Sequence, residues 1–407
     1  MRMQTQILSK SGSLSGGILL VSGCCIGAGM LGLPILSALA GFKPSVLLFC
    51  LSWLFMACTG LLLLEVNLWF KDDVSIITMA DRTLGVIGKC VGWAGFLFLF
   101  YALMVAYISG TGHLLSDLTQ ELTGFALTPW IGSLFLCLLL GSMVYLGTQA
   151  VDWFNRIFMV GLMISYVLLI ALGGPHVKTD YLQHSDWSAA YLVLPAMIIS
   201  FGYHNLIPSL TTYMQGDIKR LRLTILIGSA IPLLFYLIWE WLILGLVPVE
   251  GFREAFGQGD MTTRVLKNAV GSAYVADIAH YFAFFAIVTS FLGVALSFVD
   301  FLADGLHIKK DTSGKIFLCL LVIALPFGCA LLYPKIFLTA LRYAGSFGAV
   351  TLFGLLPAAM VWAGRYHRSI QAPRLLPGGK GALIVIAIIA AAIMILQVTQ
   401  DILRAYS

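Results

Sequence analysis

Charge is scarce in this sequence. Asp, Glu, Lys and Arg make up 11% of its 407 residues, where a soluble domain carries about 25%. With 60% hydrophobic residues and a mean hydropathy of +0.95, that shortage excludes a soluble globular protein. Long basic runs are missing too. The 24 Lys and Arg are spread through short loops, so the net charge of +5 is no footprint for nucleic acid. The eight cysteines lie in or at the edge of apolar stretches and none has CxxC spacing, which leaves neither a disulfide framework nor a zinc site. HEXXH, GXSXG and Walker sequences are absent, against a membrane enzyme, which would need His, Asp or Cys clustered at a membrane face. A channel usually needs a repeated or symmetric filter, and nothing here repeats in parallel. Sustained period-2 alternation is also lacking, so the apolar runs do not read as barrel strands.

What the sequence has is apolar length. Runs of about 20 to 30 residues, each enough to cross a bilayer, predict helices over 14–40, 44–70, 90–118, 129–147, 153–173, 189–214, 222–248, 271–304, 315–333, 335–364 and 381–402. These are eleven spans in one transmembrane domain covering 1–407, an all-α membrane protein whose first partner is the lipid bilayer. The first run follows Arg2 and Lys10 as a signal peptide would, but equally apolar spans follow it and no soluble domain does, so it reads as a retained helix. A cytoplasmic N-terminus puts sixteen of the 24 basic residues inside, among them Arg2, Lys10, Lys71, Lys219, Arg220, Lys309, Lys310 and Arg365. The positive-inside rule then fixes that orientation, with the C-terminus outside. Segment 73–89, with Ile76, Ile77, Met79, Leu84, Val86 and Ile87 among polar residues, is too short and too charged to span and reads as an amphipathic helix at the cytoplasmic interface.

Two of the spans are interrupted. Ile26-Gly27-Ala28-Gly29-Met30-Leu31-Gly32-Leu33-Pro34 sits halfway through the first, and Ser200-Phe201-Gly202-Tyr203-His204-Asn205-Leu206-Ile207-Pro208 at a similar depth in the sixth. Glycine and proline weaken the helix at both places. The breaks fall in corresponding first helices of two five-helix sets, about 14–173 and 189–364, followed by an extra helix at 381–402. An odd number of helices per set makes such a repeat inverted, as in many secondary transporters. Half-helix N-termini at the midplane would offer N–H groups to an anionic group such as a carboxylate, and freed carbonyls would suit a cation. The bland alternative is that the glycines only permit close helix packing. A dinucleotide loop is excluded, because GxGxxG needs a preceding strand.

The stretches IGAGMLGLP, LLLLEVNLW from Leu61 to Trp69, and SFGYHNLIPSL from Ser200 to Leu210 resemble the hydroxy and aromatic amino acid permeases, which include bacterial tyrosine and tryptophan permeases. The likeness covers nearly the whole chain in length and helix count. It implies the inverted five-plus-five fold of the amino acid, polyamine and organocation superfamily, with an eleventh helix. It also implies import of an aromatic amino acid across the inner membrane, tyrosine first and tryptophan second, with a broader neutral amino acid permease as the alternative. The implied substrate site joins backbone N–H groups at Gly27, Ala28 and Gly29 for the carboxylate to carbonyls at Ser200, Phe201 and Gly202 for the ammonium. No cofactor is implied, and oligomeric state is left open.

The remaining candidates are side chains. His204, ionisable in hydrocarbon, is a proton-relay or substrate-binding residue unless its ring only satisfies an unwound carbonyl. Glu240, deep in the seventh span, is the stronger proton candidate, although Trp239 and Trp241 beside it could mark an interface belt. Tyr203, Tyr101, Tyr107, Phe282 and Phe285 could wall a ring pocket or equally form an aromatic core. Glu65 and Asn67 read as a buried cap or ion pair. The resemblance implies H+ as coupling ion. Ala286, Thr289 and Ser290, in an A-x-x-T-S spacing, with Gly23 and Ile26, match instead the positions that bind Na+ in sodium-coupled members of the fold. The competing reading is that both hydroxyls bond back to their own helix.

Overall fold

The computed structural model describes residues 12–70, 74–125, 127–258, 261–262, 265–266 and 273–406. Arg2, Lys10 and Lys71, three of the charges that orient the chain, lie outside them. The apolar runs of the described residues are mostly helical: α1 (Leu14–Cys25), α2 (Gly29–Ala40), α3 (Phe42–Asn67), α4 (Ile76–Leu84), α5 (Val86–Thr123), α6 (Pro129–Leu146), α7 (Thr148–Gly173), α8 (Leu194–Ser200), α9 (Ile207–Tyr213), α10 (Ile218–Leu246), α11 (Val249–Gln258), α12 (Ala273–Gly305), α13 (Thr312–Leu332), α14 (Phe337–His367) and α15 (Gly379–Tyr406). Nine of them are long and apolar enough to cross a bilayer, and α1 with α2 makes a tenth candidate, bent by 60°. The run predicted over 189–214 is no continuous helix. It holds α8 and α9, seven residues each, and neither half spans a bilayer alone.

Boundaries differ from the hydropathy reading wherever glycine makes the turn. Gly147, at φ +97°, lets α7 begin at Thr148 rather than at 153. Gly85, at φ +73°, ends α4 so that Val86 and Ile87 open α5 instead of extending the amphipathic segment. The apolar face of α4 is buried through Ile76, Met79 and Ala80 against α5 and α14, so that face meets protein rather than lipid.

The arrangement is concentric. Most of α12 and α14 is enclosed, 61% and 78% of their most apolar stretches, whereas α13 and α15 are enclosed over 22% and 28% and turn long rows of Leu and Ile outward. Residues Ala344–Leu355 of α14 wind as a π-helix, and Gly345, Gly348 and Gly354 let Pro195, Leu99 and Phe55 press against it. Glu65 accepts from Arg365 Nε at 2.7 Å and Nη2 at 2.6 Å, and from the Leu375 N–H at 2.8 Å. This is the buried ion pair expected for Glu65, joining the end of α3 to the end of α14. At the opposite end the 184–188 loop seals α2: the Asp186 N–H donates to the Ala40 carbonyl at 2.7 Å, and His184 Nε2 lies 3.1 Å from the Leu39 carbonyl. Asp186 itself is held below its ordinary carboxyl pKa, first by the Ser188 hydroxyl and then by the Ser188 N–H.

Candidate functional site

In a bilayer every backbone polar group needs a partner inside the protein, so the places where helices lose hydrogen bonds dictate where other helices must reach in. Cys25 closes α1 and Ser200 closes α8, and their carbonyls are orphans of the helix ends. One side chain serves both: the Tyr236 hydroxyl on α10 lies 2.6 Å from the Cys25 carbonyl and 2.8 Å from the Ser200 carbonyl. Its single proton is shared between the two breaks.

Prolines create two further orphans. Pro34 has no N–H to give the Met30 carbonyl four residues back, and Trp239 Nε1 donates there instead, at 2.9 Å. Pro232 leaves the Gly228 carbonyl open in the same way, and the Ser22 hydroxyl of α1 fills it at 2.8 Å. Each of these two spans therefore supplies the donor that the other's proline removes. Trp239 is fully buried, so it is not part of an interfacial aromatic belt.

Between Cys25 and Gly29 the chain is non-helical, with Ile26 extended at φ −78° and ψ 111°. Among the described residues the Gly27 and Gly29 N–H groups have no partner, while the Ala28 N–H donates to the Ser290 hydroxyl of α12 at 2.9 Å. Both glycines are needed for space. A Cβ on Gly27 would stand 2.3 Å from Ser290 Oγ, and one on Gly29 2.8 Å from Ser200 Oγ. Close packing and an open backbone are thus consequences of the same residues. Tyr107 lies beside Ser290 and Cys24, and Cys24 is exposed although Cys25, Phe201 and Tyr236 around it are buried. The Cys24 thiol reaches the second break. Its Sγ is 3.6 Å from the Gly202 carbonyl.

The other candidates scatter around this centre. His204 is fully buried, stacks between Tyr203 and Phe353 with both centroids at 4.8 Å, and places Nε2 2.9 Å from Thr59 Oγ1 on α3. Among the described residues its Nδ1 has no partner. Tyr203 donates to the Met56 carbonyl at 3.0 Å, in the space that Gly60 leaves. Phe282 packs on Trp239 at 4.7 Å, Phe285 fills the notch at Gly161, and Tyr101 donates to the Leu321 carbonyl at 3.3 Å, facing α13 rather than the breaks. Glu240 Oε2 is 2.5 Å from Ser37 Oγ, toward the loop-sealed end of α2, and Oε1 has no partner among the described residues. Thr289 donates back to the Phe285 and Ala286 carbonyls at 2.8 and 3.2 Å. Gly23 stands near Met159 of α7. Among the described residues no group of three or more His, Cys, Asp or Glu is placed to hold a metal.

A cavity of about 910 Å³ opens at the end of the bundle formed by the C-termini of α3, α9 and α12 and by α4, lined by Asn67, Phe70, Phe96, Asn205, Ser209 and Phe301 among others. Asn205 and Ser209 are exposed.

Two interrupted helices held face to face, unpaired N–H groups between them and a cavity on one side define a polytopic helical membrane protein of the transporter type. The chain belongs to the tryptophan/tyrosine permease family, whose sequence model matches residues 10–397. It is 34% identical over 382 residues to tyrosine-specific transport system 1 of Haemophilus influenzae, covering 92% of this chain and 94% of that one. It is also 31% identical over 374 residues to the tryptophan-specific transport protein of the same organism, covering 88% and 89%. Among solved structures it shares the fold of MhsT in complex with L-phenylalanine, with a TM-score of 0.59 at 14% identity over 94% of this chain and all of that one.

Proposed function

We propose that the chain imports aromatic amino acids, tyrosine first and tryptophan second, by ion-coupled symport and alternating access across the bacterial inner membrane, with the N-terminus in the cytoplasm and the C-terminus outside. The observation that carries this reading is the pair of breaks joined by Tyr236, with the Gly27 and Gly29 N–H groups unpaired among the described residues. Those groups hold the substrate carboxylate, and the Gly202 carbonyl with its neighbours holds the ammonium. Tyr107 and Phe201 face the ring. Read together, α8 and α9 cover 20 residues and form the eleventh crossing, so that the repeats run over about 14–173 and 189–364. The cavity beside α9 is then the cytoplasmic exit. No covalent chemistry is involved.

The coupling ion is Na+ or H+. For Na+, the Ser290 hydroxyl exchanges the Ala28 N–H for the ion, Thr289 swings off its own helix, and the Gly23, Ile26 and Ala286 carbonyls complete a set of oxygens suited to a hard cation. For H+, His204 or Glu240 carries the proton. Uptake of labelled tyrosine into proteoliposomes under an imposed Na+ gradient at fixed pH, with each of the twenty amino acids as competitor, tests both parts. Aromatic competitors should dominate, and Thr289→Ala with Ser290→Ala should abolish a Na+ dependence. Uptake that ignores Na+ and follows an imposed pH gradient assigns the coupling to H+. Competition by aliphatic amino acids as effective as that by aromatic ones overturns the substrate assignment.

A further inference from the structure

We infer that the loop joining α14 to α15 is a docking site for an anionic phospholipid, with the headgroup on Arg368, Arg374 and Lys380 and the acyl chains along α15. The charge there is unopposed. No Asp or Glu occurs between Asp311 and Asp401, and Arg365, Arg368, Arg374 and Lys380 all fall within that stretch. Bases in other loops have a carboxylate near them: Lys310 lies 2.7 Å from Asp300, Arg156 2.9 Å from Asp152 and Lys89 3.9 Å from Asp81. Arg365 is taken by Glu65. Arg368 and Arg374 are exposed, and among the described residues no carboxylate is paired with either.

The loop folds back on the end of α14, which gathers these charges. The Arg368 and Ile370 N–H groups donate to the Ala363 and Gly364 carbonyls at 2.9 Å each, and the Leu375 N–H donates to Glu65 at 2.8 Å. Lys380 Nζ stands 5.0 Å from the centre of the Tyr366 ring and 5.8 Å from that of Trp362. A cation over two half-buried rings is held in place but keeps its charge. Trp and Tyr at the end of a span mark headgroup level, where basic residues attract acidic lipids. Soluble phosphate would meet the same bases; what selects a lipid is the surface that continues from them. Lys380, Ile384 and Ile388 are spaced four apart and share one face of α15, and the two isoleucines are 47% and 62% exposed. The ligand that fits both parts has an anionic head and hydrocarbon chains. Because the loop also closes over the Glu65–Arg365 pair, an occupant that binds only the folded arrangement stabilises it.

The unfolding midpoint of the full-length chain in dodecyl maltoside micelles, titrated separately with phosphatidylglycerol, phosphatidylcholine and inorganic phosphate, tests this. Phosphatidylglycerol alone should raise the midpoint to a plateau. In the Arg368→Gln, Arg374→Gln, Lys380→Gln variant, half of the effect should need at least about tenfold more of it. Removing the same charge from a loop that holds carboxylates, in Lys309→Gln, Lys310→Gln, Lys315→Gln, should leave the titration unchanged. No effect of phosphatidylglycerol overturns the site and shows that its charges are met within the chain, Asp72 and Asp73 included. An equal effect of phosphatidylcholine or inorganic phosphate overturns the lipid assignment, and a titration unaltered in the first variant, or weakened equally in both, overturns the placement. A second measurement needs no variant to fold: phosphatidylglycerol with a photoreactive diazirine in its headgroup should label the unaltered protein chiefly within 366–380, read by peptide mass. Label spread evenly over the loops overturns the proposal.

Discussion

Replacing Tyr236 by Phe isolates the tie between the two breaks. The ring is kept, with its packing on Phe201 at 5.2 Å and Phe49 at 5.7 Å, and the deletion is confined to one hydroxyl that lies 2.6 and 2.8 Å from two helix-end carbonyls. A single proton serves one carbonyl at a time, so one buried hydrogen bond is lost. Leaving its acceptor unmatched costs about 1–3 kcal/mol. At about 1.4 kcal/mol per decade that corresponds to roughly fivefold to 150-fold in any equilibrium in which the tie forms. If the tie tightens when substrate joins the two breaks, the cost falls on binding, and the tyrosine dissociation constant should rise by about tenfold. If it is equally strong in all states, the cost falls on stability alone. Binding by scintillation proximity and unfolding midpoints in detergent, with and without tyrosine, separate the two. An unchanged dissociation constant together with an unchanged midpoint in Tyr236→Phe would refute the bridge.

Two further outcomes follow from the same geometry. Arg365→Met leaves the Glu65 carboxylate unpaired where the side chains are only 2% and 4% exposed, which should destabilise the fold by about 3–5 kcal/mol. Adding Glu65→Gln, which keeps an acceptor for the Leu375 N–H, should recover most of the loss, and a midpoint no higher than in the single variant would show that charge is not the issue. Cys24 should react with a small thiol reagent while buried Cys25 does not, and tyrosine should slow Cys24 but not exposed Cys90; equal Cys24 rates with and without tyrosine would place that thiol away from the substrate.

Much of this was legible in the sequence because hydrocarbon makes long apolar runs obligatory and glycine pairs conspicuous. The breaks at Gly27–Gly29 and Phe201–Tyr203 stand where glycine and proline weaken the helix, and a carboxylate in the apolar run at Glu65 demanded a buried partner. Which cation would answer was not legible, because Arg365 is 300 residues away and read as one more cytoplasmic charge. Tyr236 and Trp239 escaped for a related reason. Their signal lies on other helices, in Pro34 and in the broken ends, each of which announces a carbonyl in need of a donor without saying where the donor is. Exposed-looking tryptophans flanking Glu240 pointed to the interface, yet Trp239 is spent on Met30. Asn205 and Ser209 were hidden because the seven residues of α9 are too few to show a period.

The exchange of donors between the Pro34 and Pro232 spans also bears on how the protein is made. Met30 enters the bilayer with the first helix, but the indole that completes it is 209 residues further along the chain. At about 5–20 residues per second, the ribosome takes roughly 10–40 s to deliver it. For that interval the nascent first span carries a carbonyl whose exposure to hydrocarbon costs several kcal/mol, a standing incentive to remain beside the translocon instead of diffusing into lipid. Gly228 faces no such delay, since Ser22 is already in place when it emerges. Biogenesis is thereby ordered: the amino-terminal half waits for the carboxy-terminal half, and a gene split between them should yield a first fragment prone to degradation unless the second is synthesised alongside it.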